Sequence, residues 1–277
     1  MLDLSLCNEV VRDLDFAGQC KLAAQLGYVG LEVAPFTLSD EPHRLPDSAL
    51  HSYRAIAEDH GLRITGLHWL LVAPAGLSIT TDDAGLRGRT TDVLRTLVDM
   101  CAALGGTVLV HGSPAQRRLE DAASPEAARA NALQCFRVAA EAAEKAGVTY
   151  CLEPLAPRET AFINTVAEAV AMVEEIGSPA FKTMIDTSAA ALAEDQPVPD
   201  LIRQWWPTGH LAHIQVNDHN RRAPGQGDDR FGPVFAAIAD VGFAGPVSVE
   251  PFDYIPDGPT TAAVAAGYLR GVQEQMR

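Results

Sequence analysis

The sequence predicts a (β/α)₈ TIM barrel, the fold in which eight parallel strands alternate with eight helices. Short apolar runs recur roughly every thirty residues, and an Ala- and Leu-rich helical segment follows each of them. No low-complexity linker divides the 277 residues. Strict alternation of strands and helices indicates a parallel sheet, and eight uninterrupted units favour its closure. We therefore expect one domain over residues 1–277.

The predicted strands are short runs of apolar, β-branched and aromatic residues. They cover residues 2–7, 28–34, 63–70, 107–111, 148–153, 181–187, 211–217 and 246–251. The alternative is an open, doubly wound sheet, which usually carries a glycine-rich turn after its first strand. Residues 8–11 read Asn-Glu-Val-Val instead, so the closed barrel is favoured.

The helix boundaries carry recognisable capping residues. One helix is expected to begin at Ser124, whose hydroxyl can cap it, with Pro125 in its first turn and Gly147 at its end. Another is expected to begin with a capping box formed by Thr165 and Glu168. These signals separate the predicted helices from the strands that follow them.

Composition excludes several classes of function. The chain has 36 acidic and 21 basic residues, a formal charge of −15 and a pI near 4.8. Such a charge repels phosphate backbones, and the richest basic stretch, residues 220–222, is too short to offset it. We therefore expect no binding to nucleic acid.

Cysteine usage and hydropathy indicate a cytoplasmic protein. The five cysteines are scattered and form no CxxC pair, so we expect them to be reduced and buried. The first residues lack the pattern of a signal peptide, and no apolar run approaches about 18 residues. No association with a membrane is expected.

Three of the last four predicted strands end in an acidic residue, namely Glu153, Asp186 and Glu250. The carboxyl ends of barrel strands form the active-site face, and neighbouring strand ends lie about 5 Å apart. A buried carboxylate stays ionised only when it is paired or bound to a metal. The three acids therefore predict a site for one divalent cation, Mg²⁺ or Mn²⁺, since both favour oxygen ligands. The alternative is that one acid only caps the following helix.

The fourth ligand is expected from strand seven, where His213, Gln215 and Asn217 share one face. Either His213 or Gln215 could reach the cation. Gln215 lies nearer the carboxyl end and offers a carbonyl oxygen, so it is favoured as the ligand. His213 lies one layer deeper, where it would contact the substrate, support the ligand or pack in the core.

Further side chains are expected at the same face. His68 lies at the end of strand three beside Trp69, and His111 ends strand four. The two histidines would bind substrate or a second metal, or else be strand-end residues held by hydrogen bonds. Trp69 would line the pocket or pack in the core. Glu32, within strand two, is a further candidate for the barrel mouth.

Five short runs, in order along the chain, carry a resemblance to a known family. They are CLEP (151–154), MIDT (184–187), HIQVND (213–218), PGQG (224–227) and VEPF (249–252). Together they resemble the sugar isomerase and epimerase family of xylose isomerase-like barrels. The resemblance implies a Glu–Asp–His/Gln–Glu ligand set for Mn²⁺, Mg²⁺ or Co²⁺. It also implies that Glu153 and Glu250 transfer a proton, and that Glu159 and Arg221 bind the substrate.

The sequence departs from the ketose 3-epimerases of that family at two positions. Ala189 stands where they have a substrate-binding histidine, and Pro157 stands where they have an arginine. They also carry histidine at the strand-seven position, whereas the hydroxypyruvate isomerase relatives share the HIQ pattern of Gln215. These departures leave the choice between a sugar and a short hydroxyketo acid open.

The combined prediction is a metal-dependent sugar isomerase or epimerase. A hydroxyketone would chelate the cation, which would stabilise an enediolate. One glutamate would remove the proton next to the carbonyl, and the other would return a proton to the opposite face or to the neighbouring carbon. The first outcome is epimerisation and the second is aldose–ketose isomerisation. The two carboxylates are expected to titrate as a unit.

Three alternatives stand beside this prediction. A dehydratase of keto-inositols or keto-sugars would use the same cation and expel a β-hydroxyl. An abasic-site endonuclease would need further histidine ligands, and residues 227–230 (Gly-Asp-Asp-Arg) contain none. A non-catalytic sugar-binding barrel would not need two proton-transfer glutamates. The sequence leaves a homo-oligomer open.

Overall fold

The computed structural model describes residues 2–276 and shows eight parallel strands closed into a barrel in chain order. The strands are β1 Leu4–Cys7, β2 Gly30–Val33, β3 Arg63–Leu67, β4 Val108–His111, β5 Thr149–Leu152, β6 Phe181–Asp186, β7 Leu211–Val216 and β8 Val247–Val249. Pairing of β1 with β8 closes the ring. The predicted fold is confirmed, and every observed strand lies inside its predicted range.

Within residues 2–276, nine α-helices surround the barrel. They are α1 Phe16–Gln25, α2 Asp47–Asp59, α3 Ala84–Leu104, α4 Pro125–Ala146, α5 Val166–Ile176, α6 Thr187–Ala193, α7 Val198–Trp205, α8 Phe231–Asp240 and α9 Gly258–Gln275. The predicted caps are confirmed. Ser124 accepts a hydrogen bond from Ala127 N, and Gly147 ends α4 with a left-handed backbone. Both halves of the Thr165–Glu168 capping box are formed.

A register shift between β6 and β7 places polar side chains at the same level. Ala212 is an extra residue on β7, and beyond it Asp186 pairs with Gln215. Gln215 also pairs with Ser248 on β8. An extra residue of this kind re-aims the side chains beyond it. The bulge therefore brings the polar end of β7 level with the acid of β6.

The side chains inside the barrel differ between its two sides. On β4–β6 they form a buried apolar cluster, here called the apolar half, which consists of Val108, Val110, Cys151 and Met184. On the remaining strands they are polar and in mutual contact, and this set, here called the polar half, consists of Ser5, Glu32, Thr65, His213 and Ser248. The larger apolar core lies outside the barrel, between strands and helices. The active-site face therefore lies above apolar side chains on one side of the barrel and above polar side chains on the other.

Two further predictions concern the state of the cysteines and the presence of membrane-spanning helices. All five cysteines are free and buried, as expected. None of the helices within residues 2–276 combines the length and the apolar character needed to cross a membrane.

Candidate metal centre and active site

Three carboxylates meet at the carboxyl end of the barrel. Glu153 follows β5, Asp186 ends β6 and Glu250 follows β8. One oxygen from each lies within 4.8 Å of the others, and all three residues are at most 3% exposed. The structure therefore brings together the three acids that the strand ends predicted.

Buried oxygen atoms without partners mark where a cation fits. Glu153 Oε2, Asp186 Oδ2, Gln215 Oε1 and both carboxylate oxygens of Glu250 accept no hydrogen bond from any residue that the structure describes. Leaving buried polar atoms unpaired is costly, so native proteins normally satisfy them. Carboxylate and amide oxygens are the donors that Mg²⁺ and Mn²⁺ prefer. The residues present therefore fit a hard divalent cation.

Electrostatics supports the same assignment. Burial, followed by repulsion from neighbouring carboxylates, raises the pKa of Glu153 and that of Glu250 well above the usual range. Burial likewise raises the pKa of Asp186 to about 7. Three carboxylates this close resist full ionisation unless positive charge is added. A bound cation would supply that charge.

Asp186 has two functions at once. Its Oδ1 accepts a hydrogen bond from Ala189 N and so caps α6, while Oδ2 faces the other two acids. The helix-capping alternative is thus correct for one oxygen of this residue. Asn217 reinforces the arrangement, because its Oδ1 accepts from Ser188 N and its Nδ2 donates to Glu250 O.

On β7, Gln215 is level with Asp186, whereas His213 is level with Met184, one layer deeper in the barrel. The Gln215 amide nitrogen donates to Glu32 Oε1 at 2.7 Å. His213 Nε2 lies 2.7 Å from Glu32 Oε2, one layer further from the mouth. The position of His213 beside the buried Glu32 carboxylate favours a residue that supports the site, and its contact with substrate stays a prediction.

Glu32 lies inside the barrel and not at its mouth. Ser248 Oγ donates to Glu32 Oε2 at 2.6 Å, and the residue is fully buried. Burial alone would raise the pKa of Glu32, but attraction and contact from His213, with smaller contributions from His68 and Ser248, lower it to about 2. Glu32 is therefore a buried anion beneath the metal centre.

His68 joins the site in contact with an acid that sequence reasoning missed. Its Nε2 lies 2.7 Å from Glu9 Oε2 and 3.7 Å from Glu250 Oε1. Burial lowers the pKa of His68, but the adjacent Glu9 carboxylate more than offsets this and raises it overall. Glu9 stands two residues after β1, so the strand-end rule that singled out the other acids could have found it.

His111 points away from the site. Its Nδ1 lies 2.6 Å from the hydroxyl of Tyr150, and its ring meets the edge of Phe136 on α4 at 5.2 Å. The side chain therefore lies between barrel and helices. The expectation that His111 binds substrate or shares a second metal with His68 is wrong, because its side chain faces outward while its neighbour Gly112 faces the site.

Aromatic side chains form one wall of the mouth. The Trp69 ring lies between those of Phe36 and Phe252, with centroids 5.8 Å from each. Arg221 places its guanidinium over Phe252, 5.1 Å from the ring centre. Trp69 and Phe252 also line a cavity of about 30 Å³ directly above Glu153 and Asp186. Trp69 therefore lines the pocket.

Comparison with known proteins agrees with this geometry. The sequence profile of the xylose isomerase-like TIM barrel family matches residues 20–272. The protein belongs to this family. The family predicted from the five sequence runs is confirmed.

Named relatives of this xylose isomerase-like barrel are sugar epimerases. The chain is 27% identical to a D-psicose 3-epimerase of Ruminiclostridium cellulolyticum over 246 residues, which cover 87% of this chain and 79% of the relative. It is 25% identical to an L-ribulose 3-epimerase of Methylomonas sp. over 239 residues, or 83% and 76% of the two chains. Neither relative is named as a lyase or a nuclease.

Solved structures show the same fold. A D-psicose 3-epimerase determined in the presence of D-fructose superposes with a TM-score of 0.81 at 22% identity, covering 98% of this chain and 99% of that one. A 3-keto-D-glucoside 4-epimerase from E. coli gives 0.81 at 18% identity, covering 99% and 100%. At these identities the likeness concerns the barrel alone.

The other predicted substrate residues of this xylose isomerase-like barrel stand at the rim. Glu159 and Ala189 line the cavity above the acids. Glu159 Oε2 also accepts a hydrogen bond from Ala156 N, which fixes the turn after β5. Arg221 is partly exposed, with its Nε 3.6 Å from Asp253 Oδ1. Glu159 thus borders the cavity above the acids, and Arg221 lies over Phe252, which lines the same cavity.

Two residues beside Glu153 escaped sequence reasoning. Arg117 is fully buried and donates from Nη1 to the backbone oxygen of Glu153 at 2.8 Å. Gly112 lies so close that a Cβ atom there would collide with Glu153 Oε2. Neither a loop arginine nor a lone glycine carries a signal in one sequence, because each acquires its function from a distant part of the chain.

Proposed function

We propose that this protein is a divalent-metal-dependent sugar epimerase that inverts the carbon next to the carbonyl of a ketose. The observation that carries the proposal is the set of buried, unpartnered oxygens contributed by two glutamates, an aspartate and a glutamine. The activities of the named relatives, D-psicose and L-ribulose 3-epimerases, support epimerisation over aldose–ketose isomerisation.

The cation would be held by Glu153, Asp186, Gln215 and Glu250. An all-oxygen donor set favours Mn²⁺ or Mg²⁺, with Co²⁺ as the further candidate from the family resemblance. When bound, the ion supplies Lewis acidity that stabilises negative charge developing beside the substrate carbonyl. It also relieves the repulsion that raises the carboxylate pKa values.

Glu153 and Glu250 would form the proton-transfer pair. They stand at the ends of β5 and β8, with Asp186 and Gln215 on the strands between them. One carboxylate takes the proton from the carbon next to the carbonyl, and the other delivers a proton to the opposite face of that carbon. For the reverse reaction the two exchange functions. Their raised pKa values favour this, because a carboxyl group whose pKa lies above its usual range can donate a proton as well as accept one.

The substrate would be a free sugar and not a sugar phosphate. The rim offers Glu159 and the Trp69 wall, and its positive charge comes from Arg158, which lines the cavity, and from Arg221 over Phe252. Phosphate recognition usually uses several cationic or backbone donors. Ala189, where epimerases have histidine, leaves the cavity wider on the α6 side, which favours a substrate shape that differs from theirs.

The test is a panel of ketoses and short hydroxyketo acids incubated in D₂O with Mn²⁺ and followed by NMR. We expect deuterium to enter the carbon next to the carbonyl of one ketose, together with its epimer, and chelation to abolish both. Formation of an unsaturated or deoxy product would identify a dehydratase instead. Absence of exchange for all substrates and metals would refute the proposal.

We also infer a cytoplasmic protein that acts on a small molecule and binds neither nucleic acid nor a membrane. Five buried free thiols and a charge of −15 support this. A homo-oligomer stays a prediction that light scattering would test.

A further inference from the structure

We propose that Glu32 is a positioning residue that fixes the amide of Gln215 with its carbonyl oxygen facing the metal centre. The inference rests on the proposed function, because it takes Gln215 as a metal ligand. It concerns one contact beneath the site, between β2 and β7.

The contact has a defined direction. Gln215 Nε2 donates to Glu32 Oε1 at 2.7 Å, and Gln215 Oε1 is buried with no hydrogen-bond partner in residues 2–276. The two ends of an amide are almost equal in size, so packing alone cannot select between them. With the amide reversed, its oxygen would face a carboxylate oxygen at the same short distance, and the two would repel. Glu32 therefore selects the orientation.

Glu32 itself is held in place from two other strands. Ser248 Oγ on β8 donates to Oε2 at 2.6 Å, and His213 Nε2 on β7 lies 2.7 Å from the same oxygen. These contacts occupy Oε2, whereas Oε1 accepts from Gln215 Nε2 at 2.7 Å and from the Cys7 thiol at 3.9 Å. A carboxylate with its second oxygen so engaged can neither rotate freely nor act as a donor toward the amide.

Of the four proposed ligands, only Gln215 needs a neighbouring residue to fix its orientation. A carboxylate such as Glu153 or Asp186 presents an oxygen whichever way it turns. A glutamine presents either an acceptor or two N–H donors, and donors would repel a cation. The glutamine is therefore the ligand whose function depends on the residue beneath it.

The test is a double-mutant cycle on Mn²⁺ affinity, measured by calorimetry on the full chain after metal removal. We expect Glu32→Gln to weaken Mn²⁺ binding about tenfold or more, since lost partners of metal ligands cost 10–100-fold. In the Gln215→Leu background, which has no amide to orient, the same change should cost less than about threefold. Ser5→Ala is the matched control, because it removes an equally buried hydrogen bond, to Thr65, without touching Glu32. It should leave affinity unchanged.

The outcomes distinguish a failure of this inference from a failure of the proposed function on which it rests. Unchanged Mn²⁺ affinity in Gln215→Leu would remove Gln215 from the ligand set and with it that part of the proposed function. Loss of Mn²⁺ affinity in Gln215→Leu but not in Glu32→Gln would overturn the assignment of Glu32 as a positioning residue. The proposed function would stand. Equal losses in both backgrounds would also overturn it, because Glu32 would then act through charge or folding. Should Glu32→Gln fail to fold, Glu32→Asp, which keeps the charge but shortens its reach, replaces it in the same cycle with the same expected pattern.

Discussion

Beneath the metal centre, the apolar half and the polar half of the barrel interior support their ligands by different means. Glu153 and Asp186 stand above the apolar half, where Met184 and its neighbours are packed without polar contacts. Gln215 and Glu250 stand above the polar half, where Glu32 is in contact with Gln215, Ser248 and His213. The comparison shows that carboxylate ligands need only a position, which packing supplies, whereas an amide ligand also needs an orientation.

The largest expected effect concerns the proton-transfer pair, which takes one glutamate from above each half. Glu153→Gln and Glu250→Gln should each reduce deuterium exchange into the substrate by about 10³-fold, because an amide of the same shape cannot accept the proton. Each variant should keep much of its metal by elemental analysis. Full deuterium exchange in either variant would show that its glutamate does not transfer the proton. The two halves would then not contribute one member of the pair each.

The next effect tests whether the apolar half acts by packing alone. Met184→Ala should lower the free energy of unfolding by about 3 kcal/mol, because Met184 is fully buried and the cavity cannot collapse completely. Guanidinium denaturation measures this, and Mn²⁺ affinity of the folded variant should stay within about threefold. A large loss of affinity would show that the apolar half also orients ligands.

A third effect lies outside the barrel wall, at His111. Burial, with a smaller contribution from Arg117, lowers the pKa of His111 to about 3, whereas the unfolded chain titrates near 6.5. The unfolded state therefore binds the proton first. The stabilisation is present above about pH 6.5 and is lost as the pH falls toward 3.

Between about pH 7.5 and 5 this histidine should account for about 2 kcal/mol of lost stability. His111→Gln keeps a partner for the Tyr150 hydroxyl and removes the titration, so its unfolding free energy should fall by that much less over the same interval. An identical pH dependence in variant and parent would contradict the assignment.

The smallest expected effect concerns the close approach of Gly112 to the Glu153 carboxylate. Gly112→Ala should push the Glu153 carboxylate aside and weaken Mn²⁺ binding about tenfold, or about 1.4 kcal/mol. The flexible carboxylate can partly yield, which limits the loss. Gly88→Ala on α3 is the matched control, because a methyl group there meets no neighbour. Equal Mn²⁺ affinity in both variants would show that metal binding does not need the close approach of Gly112 to Glu153.

Sequence reasoning located Glu153, Asp186 and Glu250 because each ends an apolar run, and strand ends of a barrel share one face. It failed at His111, which also ends a strand, since adjacent strand positions face opposite ways and a run of residues does not state which of them faces inward. The bulge at Ala212 changes that alternation on β7. Glu9 was within reach of the same rule, but Arg117 was not.

By itself, then, the sequence determined the barrel, the family and the strand-end acids, because hydrophobic period, helix caps and residue type are local properties. Only the tertiary structure decided that Glu32 turns inward to hold Gln215 and that His68 meets Glu9. Those contacts join residues far apart in the chain, with a separation of 183 positions for Glu32 and Gln215 and of 59 for Glu9 and His68. The direction in which each buried side chain points depends on the register of the closed sheet, and register is set by all eight strands together.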